Sequence, residues 1–189
     1  MLVFHHMEKL IKRSFWLDLI EKFWDHRSII WLAGVRRSGK TSLAQTLGQI
    51  DYFDCELPRT RQMMTDPEGF LTSLKGKRII LDEIHRLRAP AELLKIAADH
   101  FPQIKILATG SSTLGASRKF RDTLTGRKTN LWLTPMIQED LKHFPNSELK
   151  HRLFFGGLPP FFLNTQVPER DFQDWARMTL KTSKLHQKT

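Results

Sequence analysis

The chain has 189 residues, enough for one domain with a hydrophobic core or for one domain plus an appendage, and short for two full domains. Apolar residues make up 40% and charged residues 26%, as in soluble globular proteins, and no apolar run reaches the roughly 18 residues that span a bilayer. The formal net charge of +10 makes nucleic acid a candidate partner, and the single cysteine excludes an intrachain disulfide and indicates a cytoplasmic location.

The first predicted element is an amphipathic helix over about residues 8–25, where apolar side chains recur at a nearly helical period among Lys, Arg, Asp and Glu. Such a helix either packs on the domain that follows or lies on a membrane surface. The mixture of acids and bases at its polar positions favours packing. We therefore assign residues 1–27 to an N-terminal amphipathic helical segment.

A buried parallel strand is predicted over residues 28–33, an apolar run of strand length. The next eight residues match the Walker A, or phosphate-loop, pattern G-x-x-x-x-G-K-[ST] at every fixed position. Gly34 and Gly39 let backbone N–H groups approach a triphosphate closely. Lys40 would place its charge between the β- and γ-phosphates, and the Thr41 hydroxyl can bind the Mg²⁺ that bridges them.

A helix is expected to follow this loop over residues 42–47, with Gly48 as its C-terminal cap. Its N-terminus would favour an anion in the loop, because unpaired N–H groups and the helix dipole both point there. A chance glycine-rich turn is the alternative. The residues predicted to bind ATP are Gly34, Val35, Arg36, Arg37, Ser38, Gly39, Lys40, Thr41 and Ser42.

The next elements are a second strand and a further helix. Residues 50–55 alternate between apolar and polar positions, as a strand does, and residues 58–66 are polar and predicted to be irregular. Asp66 as the cap and Pro67 in the first turn then predict a helix that runs to Gly76.

Residues 78–83 have the form of a Walker B segment, an apolar strand that ends in two adjacent acids. We predict that Asp82 holds Mg²⁺ and that Glu83 faces the attacking water, which divides the two tasks between neighbouring carboxylates. The alternative is that both acids cap a turn. His85 either contacts the nucleotide or a neighbour or is structural, and the structural interpretation is favoured, while the other seven histidines have no metal-ligand spacing. A helix is predicted over residues 91–100.

The last predicted strands are a buried one over residues 105–109 and a short one over residues 131–133, which stops at Pro135. Ligands of parallel α/β sheets bind beyond the carboxyl ends of strands, so Thr109 and Ser111 are candidates to reach the γ-phosphate or the water. The alternative is ordinary turn chemistry.

Residues 117–130 are the most basic part of the chain, with five Lys and Arg residues against one Asp. A solvated basic surface and a nucleic-acid patch both explain this composition. Aromatic residues are not interleaved with the charges as stacking on bases would require.

The segments described above resemble the AAA-type P-loop ATPases of bacteria and archaea, which often carry an uncharacterised C-terminal domain of nuclease-like or winged-helix character. The resemblance implies an α/β P-loop NTPase three-layer sandwich with a parallel sheet of order 5-1-4-3-2, binding ATP with Mg²⁺. It also implies a sensor at Thr109 or Ser111 and a phosphate-sensing or finger role for Arg127, whose alternative is a surface arginine paired with an acid or bound to nucleic acid. The similar stretches are residues 32–41, 81–86, 107–112, 124–127 and 155–159.

Members of this family are usually longer, so the resemblance implies a chain truncated before the C-terminal domain. The expected organisation is the N-terminal segment, a P-loop ATPase core over residues 28–135, and a helical, lid-like C-terminal segment over residues 136–189.

The sequence therefore predicts an ATP-binding ATPase of the AAA type that hydrolyses ATP to drive conformational change. The predicted catalytic residues are Glu83, Lys40 and Arg127, of which Arg127 acts either in its own subunit or, in a homo-oligomer, at a neighbour's site. A small-molecule phosphotransferase and a nucleic-acid-binding module with a regulatory nucleotide site remain as alternatives. The acidic pair on its separate strand favours water as the acceptor, and no membrane partner is expected.

Overall fold

The computed structural model of the chain describes residues 10–74, 76–110 and 118–186. The chain divides into two units, one within residues 1–34 and 40–133 and the other within residues 35–39 and 134–189.

The strands are β1 (Ile29–Ala33), β2 (Asp51–Asp54), β3 (Arg78–Asp82), β4 (Lys105–Thr109) and β5 (Lys128–Trp132). The helices of the first unit are α1 (Ser14–His26), α2 (Lys40–Gln45), α3 (Pro58–Met63), α4 (Pro67–Ser73), α5 (Pro90–His100) and α6 (Arg118–Thr123). Those of the second unit are α7 (Gln138–Leu141), α8 (Leu149–Phe155), α9 (Pro159–Phe162) and α10 (Glu169–His186).

The five strands form one parallel sheet in the order β2-β3-β4-β1-β5. Read from its other edge this is the predicted order 5-1-4-3-2, which is confirmed. β1 is buried along its whole length, as expected of a central parallel strand covered on both faces. Because all strands run the same way, the carboxyl ends of β1, β3 and β4 meet at one edge of the sheet.

The N-terminal helix α1 starts at Ser14, later than predicted, and packs within the first unit. Trp16, Ile20 and Trp24 recur every fourth residue and are buried, as the packing interpretation predicted. The Trp24 indole N–H donates to the carbonyl oxygen of Ile106 in β4 at 3.3 Å. Within the described ranges, no helix has both the length and the apolar character to cross a membrane.

Two helices of the first unit depart from the sequence prediction. Residues 58–63 form α3 where an irregular segment was predicted, because a proline in the first turn starts a helix that buries only Thr60 and so shows no apolar period. Residues 118–123 form α6, which was not predicted. There the buried Phe120 packs on Trp31 with ring centroids 4.9 Å apart.

Helix α4 confirms the prediction made from its cap and its proline. It begins after Asp66, whose side-chain oxygen accepts a hydrogen bond from the Gly69 N–H at 3.0 Å. Strand β5 begins at Lys128, three residues before its predicted start.

The second unit has its own small aromatic core. Phe144, Phe155, Phe161 and Phe162 are buried, and Phe144 meets Phe162 edge to face at 5.8 Å between ring centroids. Met136 N–H donates to the carbonyl oxygen of Gly157 at 2.6 Å.

The Gly-Gly pair before Leu158 is explained by its backbone. Gly156 has φ +71, which a side chain would strain, and a Cβ on Gly157 would lie 3.2 Å from Cβ of Pro135. Both glycines therefore serve the turn between α8 and α9.

Candidate functional site

The segment between β1 and α2 is a tight turn with several positive φ angles. Gly34 has φ 154, Arg37 φ 68 and Gly39 φ 89, and the Ser38 N–H donates to the carbonyl oxygen of Val35 at 3.2 Å. Arg37 is not a glycine, so its left-handed backbone costs on the order of 1–3 kcal/mol unless its surroundings hold it. Left-handed residues within a turn make successive N–H groups converge into a cavity that binds anions.

Lys40 is the first residue of α2, and its side chain is half-buried. Its ammonium donates to the carbonyl oxygen of Gly34 at 3.0 Å. Burial lowers the pKa of Lys40, and the negative charges of Glu83 and Asp82 act in the opposite direction. The lysine charge is therefore within electrostatic range of Glu83, predicted to face the water, and of Asp82, predicted to hold the metal.

Asp82 ends β3 and is only 3% exposed. One carboxylate oxygen accepts a hydrogen bond from the Thr109 hydroxyl, and the other accepts one from the Tyr52 hydroxyl at 2.6 Å. The Thr109 oxygen in turn accepts the Glu83 backbone N–H at 3.0 Å. The buried Thr109 hydroxyl therefore joins the two adjacent acids, which is possible because β3 and β4 are parallel neighbours.

Glu83 has a left-handed backbone, with φ 51 and ψ 43. For a residue other than glycine this conformation is uncommon, and such residues concentrate at functional sites. The Glu83 carboxylate lies 2.9 Å from Nδ1 of His85. His85, interpreted from sequence as structural, therefore contacts the side chain predicted to face water.

Tyr52 is a residue of this site that the sequence reasoning missed. Burial raises the pKa of the Tyr52 phenol most, followed by its hydrogen bond to Asp82 and the charge of that carboxylate. A hydrogen bond with the Gln45 side chain acts in the opposite direction. The sequence offered two signals for this residue: apolar and polar residues alternate along β2, and β2 was predicted to lie beside β3. It did not give the register between the two strands.

Arg127 lies away from these residues. It forms a two-pronged ion pair with Asp99, with Nε 2.7 Å from Oδ1 and Nη2 3.1 Å from Oδ2. Arg127 immediately precedes β5, which is parallel to β1. It therefore lies where the strands begin, whereas the loop that follows β1 starts where the strands end. A finger role for Arg127 stays a prediction, and it concerns the site of a neighbouring subunit.

The remaining predicted residues are placed as follows. Thr41 and Ser42 lie in the first turn of α2, half-buried and exposed respectively. Ser111 lies outside the described residues.

Two cations of the basic segment, residues 117–130, contact other side chains of the chain. Besides the pair of Arg127 with Asp99, the Lys128 ammonium contacts the Asn130 side-chain oxygen and lies 5.9 Å from the centre of the Phe120 ring. Burial lowers the pKa of Lys128. Two of the five cations therefore contact other side chains of the first unit, and the nucleic-acid patch stays a prediction.

Residues 35–39 of the loop belong to the second unit, where they contact its helices. The Trp175 indole N–H donates to the carbonyl oxygen of Arg36 at 3.1 Å, and the Arg37 guanidinium lies 5.2 Å from the centre of the Phe161 ring. A Cβ on Gly39 would lie 3.6 Å from Pro159. The C-terminal segment thus contacts two residues of the loop, Arg36 and Arg37.

The oxygen donors available to a metal ion suit magnesium. Among the described residues, no group of three or more His, Cys, Asp or Glu could hold a metal ion. The Thr41 hydroxyl and the Asp82 carboxylate are hard oxygen donors, and Mg²⁺ commonly binds one or two protein oxygens and takes its other ligands from water and phosphate. The residues present therefore fit a magnesium nucleotide.

A parallel sheet of this order, with a turned Gly-rich loop between its central strand and a helix, defines a P-loop NTPase. Residues 26–142, more than half of the chain, match a family model described as an AAA domain. The chain therefore belongs to the AAA domain family and is an ATP-binding protein of the AAA ATPase type.

Solved structures support the fold. A Walker-type ATPase of Pyrococcus abyssi is 18% identical with a TM-score of 0.57, and the match covers 92% of this chain and 71% of that one. A STAND (signal transduction ATPase with numerous domains) protein of Pyrococcus horikoshii, with a tetratricopeptide-repeat sensor, is 14% identical with a TM-score of 0.54. That match covers 86% of this chain and 32% of that protein, so the chain spans about a third of its length. A comparison with curated proteins finds no match.

Proposed function

We propose that the chain hydrolyses ATP with Mg²⁺ and uses hydrolysis to drive a conformational change, in the cytoplasm and as a homo-oligomer. The observation that carries the proposal is the Thr109 hydroxyl, which joins Asp82 to the backbone of Glu83. It orients the Asp82 carboxylate at the end of β3 and holds the backbone of Glu83, the next residue. Two carboxylates with separate tasks suit water as the phosphoryl acceptor.

Each residue has a task in the proposed reaction. Gly34 to Gly39 bind the phosphates through backbone N–H groups, and Lys40 places its charge against the β- and γ-phosphates. Thr41 and Asp82 would hold Mg²⁺, which would neutralise negative charge on the phosphate oxygens. Glu83 accepts a proton from water while the water oxygen bonds to the γ-phosphorus and the bond to the departing ADP oxygen breaks.

The test is phosphate release from ATP at several protein concentrations, with and without DNA. We expect release that requires Mg²⁺ and rises more than linearly with protein concentration, because an oligomer completes the site. The net charge of +10 makes DNA the partner to include, and its binding should weaken steeply with salt. Release that continues in excess EDTA, or that is unaffected by Glu83→Gln, would contradict the proposal.

Asp82→Asn should weaken the magnesium-dependent part of ATP binding. The amide carries less charge and turns an NH₂ group toward one of the two hydroxyls that now donate to the carboxylate. Loss of about 10-fold or more in affinity for Mg·ATP is expected, with affinity for ATP in EDTA unchanged. Calorimetric titration with and without Mg²⁺ measures both. Identical behaviour of Asp82→Asn and Glu83→Gln would contradict the separate tasks.

Arg127→Ala should lower turnover while leaving ATP affinity intact, if the residue reaches a neighbouring subunit. An arginine finger stabilises charge on the transferred phosphoryl group and is worth on the order of 10³ or more in rate. Asp99→Asn is the matched control, because it breaks the same ion pair and leaves the arginine.

Mixing the two inactive variants tests action across subunits. Arg127→Ala subunits combined with Glu83→Gln subunits should regain activity, because a mixed interface can pair an intact arginine with an intact glutamate. If Arg127→Ala hydrolyses ATP like the parent at every concentration, or if Asp99→Asn loses as much, the residue has no finger role.

A further inference from the structure

Tyr52 and Asp82 lie on the same face of the sheet. In the parallel register Tyr52 is opposite Ile80, and Asp82 follows two residues later on β3. Side chains two residues apart in a strand point the same way, so the phenol on β2 extends along the sheet toward the carboxylate on β3. The resulting hydrogen bond of 2.6 Å is short, as expected for a hydroxyl that donates to a charged oxygen.

The two hydroxyls of Tyr52 and Thr109 hold the Asp82 carboxylate from both sides. Each carboxylate oxygen accepts one of them, so rotation of the group would break a hydrogen bond. Each oxygen still has capacity for a further donor, because a carboxylate offers about four acceptor sites in all. Water bound to a metal ion can therefore use the remaining capacity of a carboxylate whose orientation is already set.

We propose that Tyr52 is a positioning residue for magnesium, which holds the Asp82 carboxylate for the hydrated ion. The inference rests on the proposed function, because it assigns a further residue to the same metal site. Partners that orient metal-binding carboxylates typically change metal affinity or activity by 10–100-fold when they are replaced.

The chain contains one tyrosine, so Tyr52 can be observed directly. Tyrosine labelled with ¹³C at Cζ will give a single resonance in the whole chain. We expect that resonance to shift when MgCl₂ is added to the ADP-bound protein and to stay in place when MgCl₂ is added without ADP. A resonance that does not respond to Mg²⁺ in the ADP-bound protein would overturn the proposal.

Tyr52→Phe removes only the hydroxyl and keeps the ring. It should raise the Mg²⁺ concentration for half-maximal ATP binding by about 10-fold, while affinity for ATP in EDTA is unchanged. Ser73→Ala is the control, since it removes the hydroxyl that donates to the Phe70 carbonyl in α4 and should leave the Mg²⁺ dependence unchanged.

Outcomes separate this inference from the proposed function. If Tyr52→Phe lowers the melting temperature without changing the Mg²⁺ dependence, the hydroxyl is only structural and the inference fails. If the variant does not fold, the Tyr52 Cζ resonance of the labelled parent protein still tests the inference. Absence of any Mg²⁺-dependent ATP binding by the parent would overturn the proposed function as well.

Discussion

Lys40→Ala should reduce ATP affinity by at least about 100-fold. The ammonium is held by the Gly34 carbonyl and lies close enough to the two acids for their charges to affect its pKa, so we expect the loop to present a fixed charge to the phosphates. Truncating one partner of a buried, hydrogen-bonded charge pair costs on the order of 2–5 kcal/mol, and the phosphates would become the unpaired partner. Calorimetric titration with Mg·ATP measures the loss.

Lys22→Ala supplies the control for charge, because Lys22 is exposed on α1 and its loss changes the net charge equally. It should bind ATP like the parent protein. Thermal unfolding without nucleotide should be compared for both variants, since Lys40 is half-buried and its removal also affects Asp82 and Glu83. Unchanged ATP affinity in Lys40→Ala would contradict the assignment of residues 34–41 as the phosphate-binding loop.

Glu83→Gln should keep ATP binding and lose hydrolysis by about 10²–10⁴-fold, the range that a general base contributes. The amide has the shape of the carboxylate and leaves the backbone N–H bond to Thr109 in place, but it cannot take a proton from water. Phosphate release and calorimetry on the same preparation separate the two effects.

Glu56→Gln makes the same chemical change at an exposed carboxylate that pairs with Arg86. Hydrolysis by this control should match that of the parent. If Glu83→Gln hydrolyses ATP at the parent rate, water is activated by another group. His85→Asn then becomes informative, because His85 contacts the Glu83 carboxylate and could have supplied the base itself.

Local sequence was sufficient wherever a residue's task depends on its chain neighbours. The loop from Gly34 to Thr41 is such a case, because its turns, its lysine and its hydroxyl lie within eight consecutive residues. Asp82 and Glu83 are another, since a buried strand that ends in two acids brings both to the carboxyl edge of the sheet. The sheet order came from resemblance to a known family rather than from periodicity.

The helices that the sequence did not reveal have too weak an apolar period. Helix α3 buries a single threonine, and its Arg61 donates to the Cys55 carbonyl at 3.2 Å, a contact that exists only in the folded chain. Apolar periodicity detects an element only through the face that it buries.

The sequence by itself determined where the phosphate loop and the acidic pair lie and predicted their roles, because each of them consists of neighbouring residues. Only the tertiary structure decided which side chains surround Asp82. Tyr52 and Thr109 reach that carboxylate from strands 30 and 27 residues away along the chain, and the register of parallel strands depends on packing across the whole sheet. The tertiary structure likewise pairs Arg127 with Asp99, at the end of the sheet where the strands begin. The length of β5 separates Arg127 from the carboxyl ends of the strands.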